Sequence, residues 1–212
     1  TDIHLSQVAQ RLRSGFLGHV TTAFIEACEL TADGRIYLTA GVGISPTIAR
    51  LADRVIVELN AAHSKSLIGV HDLYEMERPP YRRPIPIVRP SDRIGLPYIQ
   101  VDPAKIVGVV EVNLPDEARG FHDPDPVTDK IGQNVADFLA ADMRRGIIPS
   151  TFLPLQSGVG NIANAVLSAL GKDPSIPPFE MYTEVIQNSV INLIKEGRIK
   201  FGSTCSLSVT ND

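Results

Sequence analysis

The apolar residues of this chain follow two different periods, which alternate along the sequence. Runs rich in β-branched residues at 20–27, 54–59 and 106–112 are bounded by Gly, Pro, Asn or Asp, as expected for buried strands. Between and after these runs, apolar residues recur at the 3.6-residue spacing of helices. Strands that alternate with helices predict an α/β fold, an open and largely parallel sheet with helices on its faces.

The predicted helices have recognisable ends. Ser45 and Asp125 are predicted N-caps, because each precedes a proline that suits the first helical position, and glycines terminate three of the helices. The helices are predicted from Ser45 to about Ala52, from Asp125 to Gly146, from Gly160 to Gly171, and from Thr183 or Glu184 to Gly197. A domain boundary is predicted where a helix gives way to a proline-flanked segment, which divides the chain into residues 1–148 and 149–212.

A segment rich in proline and arginine interrupts this alternation between Arg78 and Pro97. Its prolines exclude a central strand or a helix, so it is predicted to be extended. Its arginines either pair with nearby carboxylates on the surface or meet a phosphate-bearing ligand or a second subunit. They are Arg78, Arg82, Arg83, Arg89 and Arg93.

Composition and charge exclude several classes of protein. A net charge of −4 gives no overall field to attract nucleic acid or an anionic membrane, so neither is an expected partner. Only Cys28 and Cys205 are cysteines, which argues against a disulfide framework and favours a reducing, cytoplasmic location. The sequence contains no apolar run long enough to span a bilayer and no signal-peptide pattern at its start.

A glycine-containing segment between a short apolar stretch and a helix offers the clearest candidate chemistry. Gly158 and Gly160 would let the backbone approach a ligand, and the first-turn N–H groups of the following helix would then face it. Such an arrangement suits a phosphate, a carboxylate or a developing oxyanion, but glycines also serve plain turns. The pattern Gly158-x-Gly160-x-x-Ala163 also satisfies a relaxed dinucleotide-binding fingerprint.

Glu184 is predicted between a strand-like stretch and a helix, at a sheet edge where ligands bind in parallel sheets. Three interpretations remain open from spacing alone. Glu184 complements the dipole of a helix N-terminus, or it reacts with a ligand, or it binds a ribose hydroxyl in a dinucleotide-binding domain together with Gly158 and Gly160. The histidines are scattered without metal-ligand spacing, so no metal site is predicted.

Several longer motifs resemble one enzyme family, the acetyl-CoA hydrolase/transferase family of class I CoA-transferases. The main ones are Leu-Pro-Leu-Gln-Ser-Gly-Val-Gly-Asn-Ile-Ala-Asn-Ala at 153–165 and Met-Tyr-Thr-Glu-Val-Ile-Gln at 181–187. The similarity extends over essentially the whole chain, through Ile25-Glu-Ala-Cys, Ala52-Asp-Arg-Val-Ile-Val-Glu-Leu-Asn60, His71-Asp72-x-Tyr74, Arg83-Pro-Ile-Pro, Ser91-Asp-Arg-Ile-Gly and Val101-Asp-Pro-x-Lys105-Ile. The resemblance implies a pair of CoA-transferase-like α/β domains with the site in the cleft between them.

Site residues and reaction follow from the same resemblance. Glu184 matches the catalytic glutamate of the family, and the segment that matches its coenzyme A contacts comprises Gln156, Ser157, Gly158, Val159, Gly160 and Asn161. The implied reaction transfers coenzyme A, as a substrate, between an acyl-CoA and a small carboxylate through a glutamyl-CoA thioester. Hydrolysis of that thioester would make the protein an acyl-CoA hydrolase instead. A homodimer is expected, with the arginine-rich segment suited to the contact.

Two features depart from the family pattern. Asn188 stands where the family resemblance leads us to expect an aspartate after Gln187. Family members are also more than twice as long, so we expect an early CoA-transferase segment before Thr1 and a second glycine-rich turn after Asp212. On this expectation, residues 1–148 form the later part of a first CoA-transferase domain and residues 149–212 begin a second. A chain with these ends alone is predicted to be inactive.

Overall fold

The computed structural model describes residues 2–116 and 125–209, which fold as α/β structure in two compact units. The first unit comprises Thr1–Ile87 with Arg93–Asp116, and the second comprises Val88–Asp92 with Glu117–Asp212. Both contain parallel strand pairs flanked by helices, so the predicted α/β class is confirmed. No helix in the described part of the chain is long and apolar enough to cross a membrane.

The first unit is built on a five-stranded sheet in the order β4-β2-β1-β3-β5. Its strands are β1 (Thr22–Leu30), β2 (Arg35–Leu38), β3 (Arg54–Asn60), β4 (Ile99–Gln100) and β5 (Ile106–Val112), and its helices are α1 (Val8–Arg13) and α2 (Ser45–Leu51). The three predicted strands are β1, β3 and β5, which pair in parallel. The structure adds β2 and β4, which join this sheet in antiparallel pairs.

The core of the first unit lies under the centre of its sheet. Alternate residues of β1 and β3, such as Ile25 and Val57, are completely or almost completely buried beside Ala49 of α2. Ser45 is the first residue of α2 rather than its N-cap, and the N-cap, Ile44, makes no side-chain hydrogen bond to the helix. The predicted serine cap is therefore wrong, although Pro46 lies in the first turn as expected.

The second unit combines three helices with a two-stranded parallel sheet. Its elements are α3 (Pro126–Arg144), α4 (Asn161–Lys172), β6 (Phe179–Gln187), α5 (Asn188–Lys195) and β7 (Ile199–Ser208). Consecutive β6, α5 and β7 form a βαβ unit, in which the register extends from Phe179 opposite Ile199 to Gln187 opposite Ser208. Its core contains Leu170, Phe179, Met181 and Ile199.

The helix α3 belongs to the second unit, whereas the sequence predicted a domain boundary between residues 148 and 149. The physical reason is close packing of α3 on α4. A Cβ atom on Gly132 of α3 would lie 2.6 Å from the carbonyl carbon and oxygen of Ala165 in α4, so only glycine fits there. Ala136 and Ala140 continue the contact surface of α3 into the same core.

Gly171 was predicted to end α4, but it lies inside that helix, which continues to Lys172. A Cβ atom on Gly171 would lie 2.3 Å from a methyl group of Leu193 in α5. The glycine therefore leaves room for the side chain of Leu193 and does not act as a helix stop.

Candidate active site

Residues 153–160 run beside β6, so the two motifs that carry the sequence resemblance lie next to each other. The backbone N–H of Leu155 donates to the carbonyl of Glu180 at 2.9 Å, and the N–H of Tyr182 donates to the carbonyl of Leu155 at 3.0 Å. These two bonds form a parallel bridge between Leu155 and Met181. The segment thus begins as a short extension of the β6 and β7 sheet and then leaves it towards α4.

Thr183 holds this segment where it leaves the sheet. Its hydroxyl accepts a hydrogen bond from the N–H of Ser157 at 3.1 Å and donates one to the carbonyl of the same residue at 2.8 Å. Thr183 is 6% exposed, so these bonds are shielded from competing water. Both polar backbone groups of Ser157 are therefore fixed by one side chain of β6.

Gln187, at the end of β6, fixes the next part of the segment. Its amide nitrogen donates to the carbonyl of Gly158, and its amide oxygen accepts from Asn164, both at 3.3 Å. Asn164 in turn accepts a hydrogen bond from the hydroxyl of Ser189 at 2.8 Å. Gln187 is almost completely buried, so its hydrogen bonds are part of the interior packing of the protein. The side chain of Asn164 therefore helps to hold α4 against β6.

Gly160 begins α4 with a backbone conformation that favours glycine. It is the N-cap residue, with φ of 131° and ψ of 171°, and it makes no side-chain cap. The first-turn N–H groups of α4 therefore donate to no capping side chain at Gly160 and carry the positive end of the helix dipole. Gln156, Gly158 and Val159 are exposed, whereas Ser157, Gly160 and Asn161 are half-buried. The first-turn N–H groups of α4 can bind an anion or an oxyanion that approaches the exposed side of the segment.

Glu184 lies inside β6, and the prediction that a helix begins at Thr183 or Glu184 is wrong. The strand continues to Gln187 because β7 pairs with it as far as Ser208, and α5 begins only at Asn188. The carbonyl of Glu184 accepts a hydrogen bond from the hydroxyl of Thr204 in β7 at 2.8 Å. A strand position, unlike a helix N-terminus, offers no dipole for the carboxylate to complement. The helix-dipole interpretation of Glu184 therefore does not apply.

The side chain of Glu184 is exposed, while its neighbour Thr183 is buried. Successive residues of a strand point to opposite faces, which accounts for this difference. Glu180 and Tyr182 alternate in step with Glu184, and all three are more exposed than the residues between them. The structure thus leaves the Glu184 carboxylate accessible to a reactant, one residue from the side chain that fixes Ser157.

Sequence reasoning missed the roles of Thr183 and Gln187. Both belong to the quoted segment 181–187, but their partners Ser157 and Gly158 lie 26 and 29 residues earlier in the chain. The sequence did contain one indication of these roles, a threonine and a glutamine within a largely apolar strand. Polar side chains buried in such a strand need hydrogen-bond partners.

Two of the histidines, His63 and His71, contact polar groups that lie far away in the sequence. Among the described residues, His63 meets Glu26 and Asp116 in a group whose ligand atoms could hold a metal ion. The Nε2 atom of His71 contacts the carbonyl of Thr39 at 2.7 Å. The carboxylate of Asp72 accepts hydrogen bonds from the backbone N–H groups of residues 94 and 95.

The arginine-rich segment is partly structural. Arg93 donates to the carbonyls of Gly69 and His71 and so ties two parts of the first unit together. Arg83 lies 3.8 Å from Glu77, and both side chains are exposed. Such a surface pair contributes little to stability. The segment therefore agrees in part with the surface-pairing interpretation.

Comparison with known proteins gives one family. Residues 1–111 match the model of the acetyl-CoA hydrolase/transferase N-terminal domain. The chain is 46% identical over 211 residues to propanoyl-CoA:succinate CoA transferase of Escherichia coli (strain K12), which covers 100% of this chain and 43% of that protein. It is 38% identical over 211 residues to acetyl-CoA hydrolase of Schizosaccharomyces pombe (strain 972 / ATCC 24843), covering 97% of this chain and 40% of the relative.

A solved structure agrees with these matches at the level of the fold. The 4-hydroxybutyrate CoA-transferase from Porphyromonas gingivalis matches with a TM-score of 0.64 at 20% identity, over 99% of this chain and 45% of that one. The chain spans about two fifths of the length of the curated relatives it matches.

Proposed function

Because this chain belongs to the acetyl-CoA hydrolase/transferase family, we propose that the protein transfers coenzyme A from an acyl-CoA to a small carboxylate, with Glu184 as the nucleophile. One observation carries this proposal. The strand that presents the exposed Glu184 also fixes, through Thr183, the segment that leads into the uncapped helix α4. A nucleophile and a group of N–H donors are thereby built on one pair of adjoining elements.

The proposed reaction has four steps with Glu184 regenerated at the end. A carboxylate oxygen of Glu184 attacks the thioester carbonyl, the C–S bond breaks, and coenzyme A leaves as a thiolate from an acyl-glutamyl anhydride. The thiolate attacks the glutamyl carbonyl and expels the acyl group as its carboxylate, which leaves a glutamyl-CoA thioester. A second carboxylate attacks this thioester, and the released thiolate then attacks the new acyl carbonyl. No net proton is consumed, and the thioester bond energy is retained.

The role proposed for Gln156, Ser157, Gly158, Val159, Gly160 and Asn161 is to bind coenzyme A and to stabilise the oxyanions. Each attack on a carbonyl places negative charge on an oxygen, which backbone N–H donors at a helix N-terminus stabilise without reorganising. The hydrogen bonds from Thr183 and Gln187 hold this backbone in place before substrate arrives. Such preorganisation lowers the cost of binding the transition state.

The nucleophile is tested by trapping the glutamyl thioester in the purified full-length protein. Acyl-CoA is added, hydroxylamine or borohydride follows, and the peptide that contains Glu184 is analysed by mass spectrometry. We expect hydroxamate or alcohol at Glu184 only when acyl-CoA is present. Glu184→Gln should abolish both the modification and the transfer activity. Glu180→Gln is the matched control, since it changes the same side-chain type in the same strand and should keep both. Full activity in Glu184→Gln would refute the proposal.

An acyl-CoA hydrolase is the second candidate function. It is favoured by the exposure of Glu184 in the described structure and by the relative named acetyl-CoA hydrolase. If water reaches the glutamyl-CoA thioester, it replaces the second carboxylate and releases free coenzyme A. Coenzyme A release from acetyl-CoA is therefore measured with and without succinate. Steady release that succinate does not change would favour the hydrolase, and transfer to succinate without release would favour the transferase.

The remaining expectations stay predictions. These are the dinucleotide-binding alternative, the homodimer and the cytoplasmic location. The family assignment gives the dinucleotide alternative no support, because the resemblance accounts for Gly158, Gly160 and Glu184 together with the rest of the chain.

A further inference from the structure

Three potential metal ligands meet in the first unit, and none of them belongs to the segments 153–165 and 181–187. Glu26 lies in β1, His63 follows the end of β3, and Asp116 follows the end of β5. Their ligand atoms all lie within 4.8 Å of one another. The carboxyl ends of parallel strands β3 and β5 meet at this edge of the sheet, which is where α/β sheets usually bind ligands.

The distances within this group fit ligands around a metal ion better than they fit hydrogen bonds. The Nε2 atom of His63 lies 3.4 Å from Oε1 of Glu26 and 3.5 Å from Oδ1 of Asp116. A hydrogen bond from nitrogen to oxygen has a length of about 2.7–3.2 Å. In a tetrahedral zinc site, bond lengths of about 2.0–2.2 Å place neighbouring ligand atoms about 3.3–3.6 Å apart.

A second pair in the same unit shows what a histidine–carboxylate hydrogen bond looks like here. The Nε2 atom of His19 lies 2.8 Å from a carboxylate oxygen of Asp53, and both side chains are largely exposed. Nothing comparable forms at His63, although two carboxylates are available to it. Its Nε2 atom is buried and has no hydrogen-bond partner among the described residues. Leaving a buried ring nitrogen without a partner is costly, and a bound metal ion would remove that cost.

The carboxylate of Glu26 is oriented by hydrogen bonds from two other side chains. The hydroxyl of Thr39 donates to Oε2 at 2.6 Å, and the amide of Asn60 donates to Oε1 at 2.8 Å. Thr39 and Asn60 are both buried. Asn60 also bonds the backbone of Leu114 in both directions, which positions the chain just before Asp116. Metal ligands in proteins are typically held by such hydrogen bonds.

We propose that Glu26, His63 and Asp116 bind one Zn²⁺ ion, with water as the fourth ligand. One nitrogen and two carboxylate oxygens form a donor set that suits a divalent transition metal, and the two distances from His63 are compatible with four-coordinate geometry. The bound ion joins β1 to the segments that follow β3 and β5. None of its three ligands is a residue to which the proposed reaction assigns a role.

The test is a calorimetric titration of Zn²⁺ into the purified full-length protein after treatment with a chelator. We expect about one equivalent to bind at this site. His63→Gln and Asp116→Asn should each weaken that binding by at least about tenfold, since removing even a group that hydrogen-bonds a ligand costs about 10- to 100-fold in affinity. His19→Gln and Asp53→Asn are matched controls and should leave the binding unchanged. Because Asp116 is exposed, its variant should stay folded even if His63→Gln does not.

A spectroscopic measurement gives the coordination geometry. Co²⁺ replaces Zn²⁺, and four-coordinate Co²⁺ absorbs visible light far more strongly than six-coordinate Co²⁺. Strong visible bands that disappear in Asp116→Asn are expected. The proposal is overturned if Zn²⁺ does not bind, if His63→Gln and Asp116→Asn bind it as tightly as the unaltered protein, or if the Co²⁺ spectrum is that of a six-coordinate ion. In those cases the group is only a cluster of His63 with two carboxylates.

Discussion

Replacing Thr183 with valine removes one hydroxyl group and keeps the β-branched shape that suits a strand. That hydroxyl accepts from the N–H of Ser157 and donates to its carbonyl, at 3.1 and 2.8 Å. Each hydrogen bond contributes about 0.5–1.5 kcal/mol net, so the two together stabilise the local structure by about 1–3 kcal/mol. Ser157 is half-buried and water can partly replace the lost partner, so we expect a value in the lower half of this range.

Hydrogen exchange of the peptide 153–161, followed by mass spectrometry, measures this effect where it occurs. A loss of about 1–3 kcal/mol corresponds to roughly 5- to 150-fold faster exchange, if the segment opens locally. Exchange in α3 should not change. The matched control is Ser157→Ala, which removes a hydroxyl that donates to the carbonyl of Gly158 at 3.3 Å and keeps the backbone bonds to Thr183.

Two results would refute the reasoning. Unchanged exchange in Thr183→Val would mean that the hydroxyl does not hold the segment. Equal acceleration in Ser157→Ala would mean that the side chain of Ser157, and not its backbone, determines local stability. If the proposed function is also correct, Thr183→Val should raise the KM for acyl-CoA, because the coenzyme A segment is no longer preorganised.

Three further outcomes follow from individual residues. In urea unfolding, Gly160→Ala should lower the free energy of unfolding by about 1–3 kcal/mol, because the φ of 131° at this position is strained for alanine. Gly158→Ala is the control and should be nearly neutral, because the added Cβ atom meets no neighbour within 4 Å. Gly132→Ala should cost about 1–3 kcal/mol in the same assay, because its Cβ would lie 2.6 Å from the backbone of α4. The hydrogen bond from the backbone N–H of Thr128 lowers the pKa of the Asp125 carboxyl in the folded protein. The Asp125 carboxylate should therefore stabilise α3 fully above the unfolded-state pKa of about 3.9, and this stabilisation should disappear as the pH falls through the lower pKa of the folded state. Asp125→Asn should remove that part of the acid dependence of urea unfolding while keeping a capping side chain; an unchanged acid dependence would contradict the assignment.

The sequence predicted best those elements whose causes are local. The helix α3 begins where Asp125 and Pro126 predicted it, because the Asp125 carboxylate accepts from the N–H groups of Val127 and Thr128, both at 2.8 Å. All the atoms in that cap lie within three residues of one another. The strands β1, β3 and β5 were likewise visible as apolar runs, since their burial follows from residue type.

The helix predicted at Thr183 failed because a distant strand competes for the same residues. Helical spacing of apolar side chains is present after Glu184, but pairing with β7 gives the backbone of 183–187 a different set of hydrogen bonds. The grouping of α3 with the second unit was not visible in the sequence for a similar reason, because the contact between Gly132 and α4 depends on the packing of two separate helices.

The sequence by itself determined the α/β class, the family resemblance and the identity of the residues proposed to act, including Glu184 and the segment 156–161. Only the tertiary structure decided that Glu184 lies within a strand, that Thr183 and Gln187 hold the glycine segment, and that Glu26, His63 and Asp116 meet. The physical reason is that residue type and local period are properties of neighbouring positions. Hydrogen bonds and ligand groups join residues far apart in the chain, and the folded backbone alone brings those residues together.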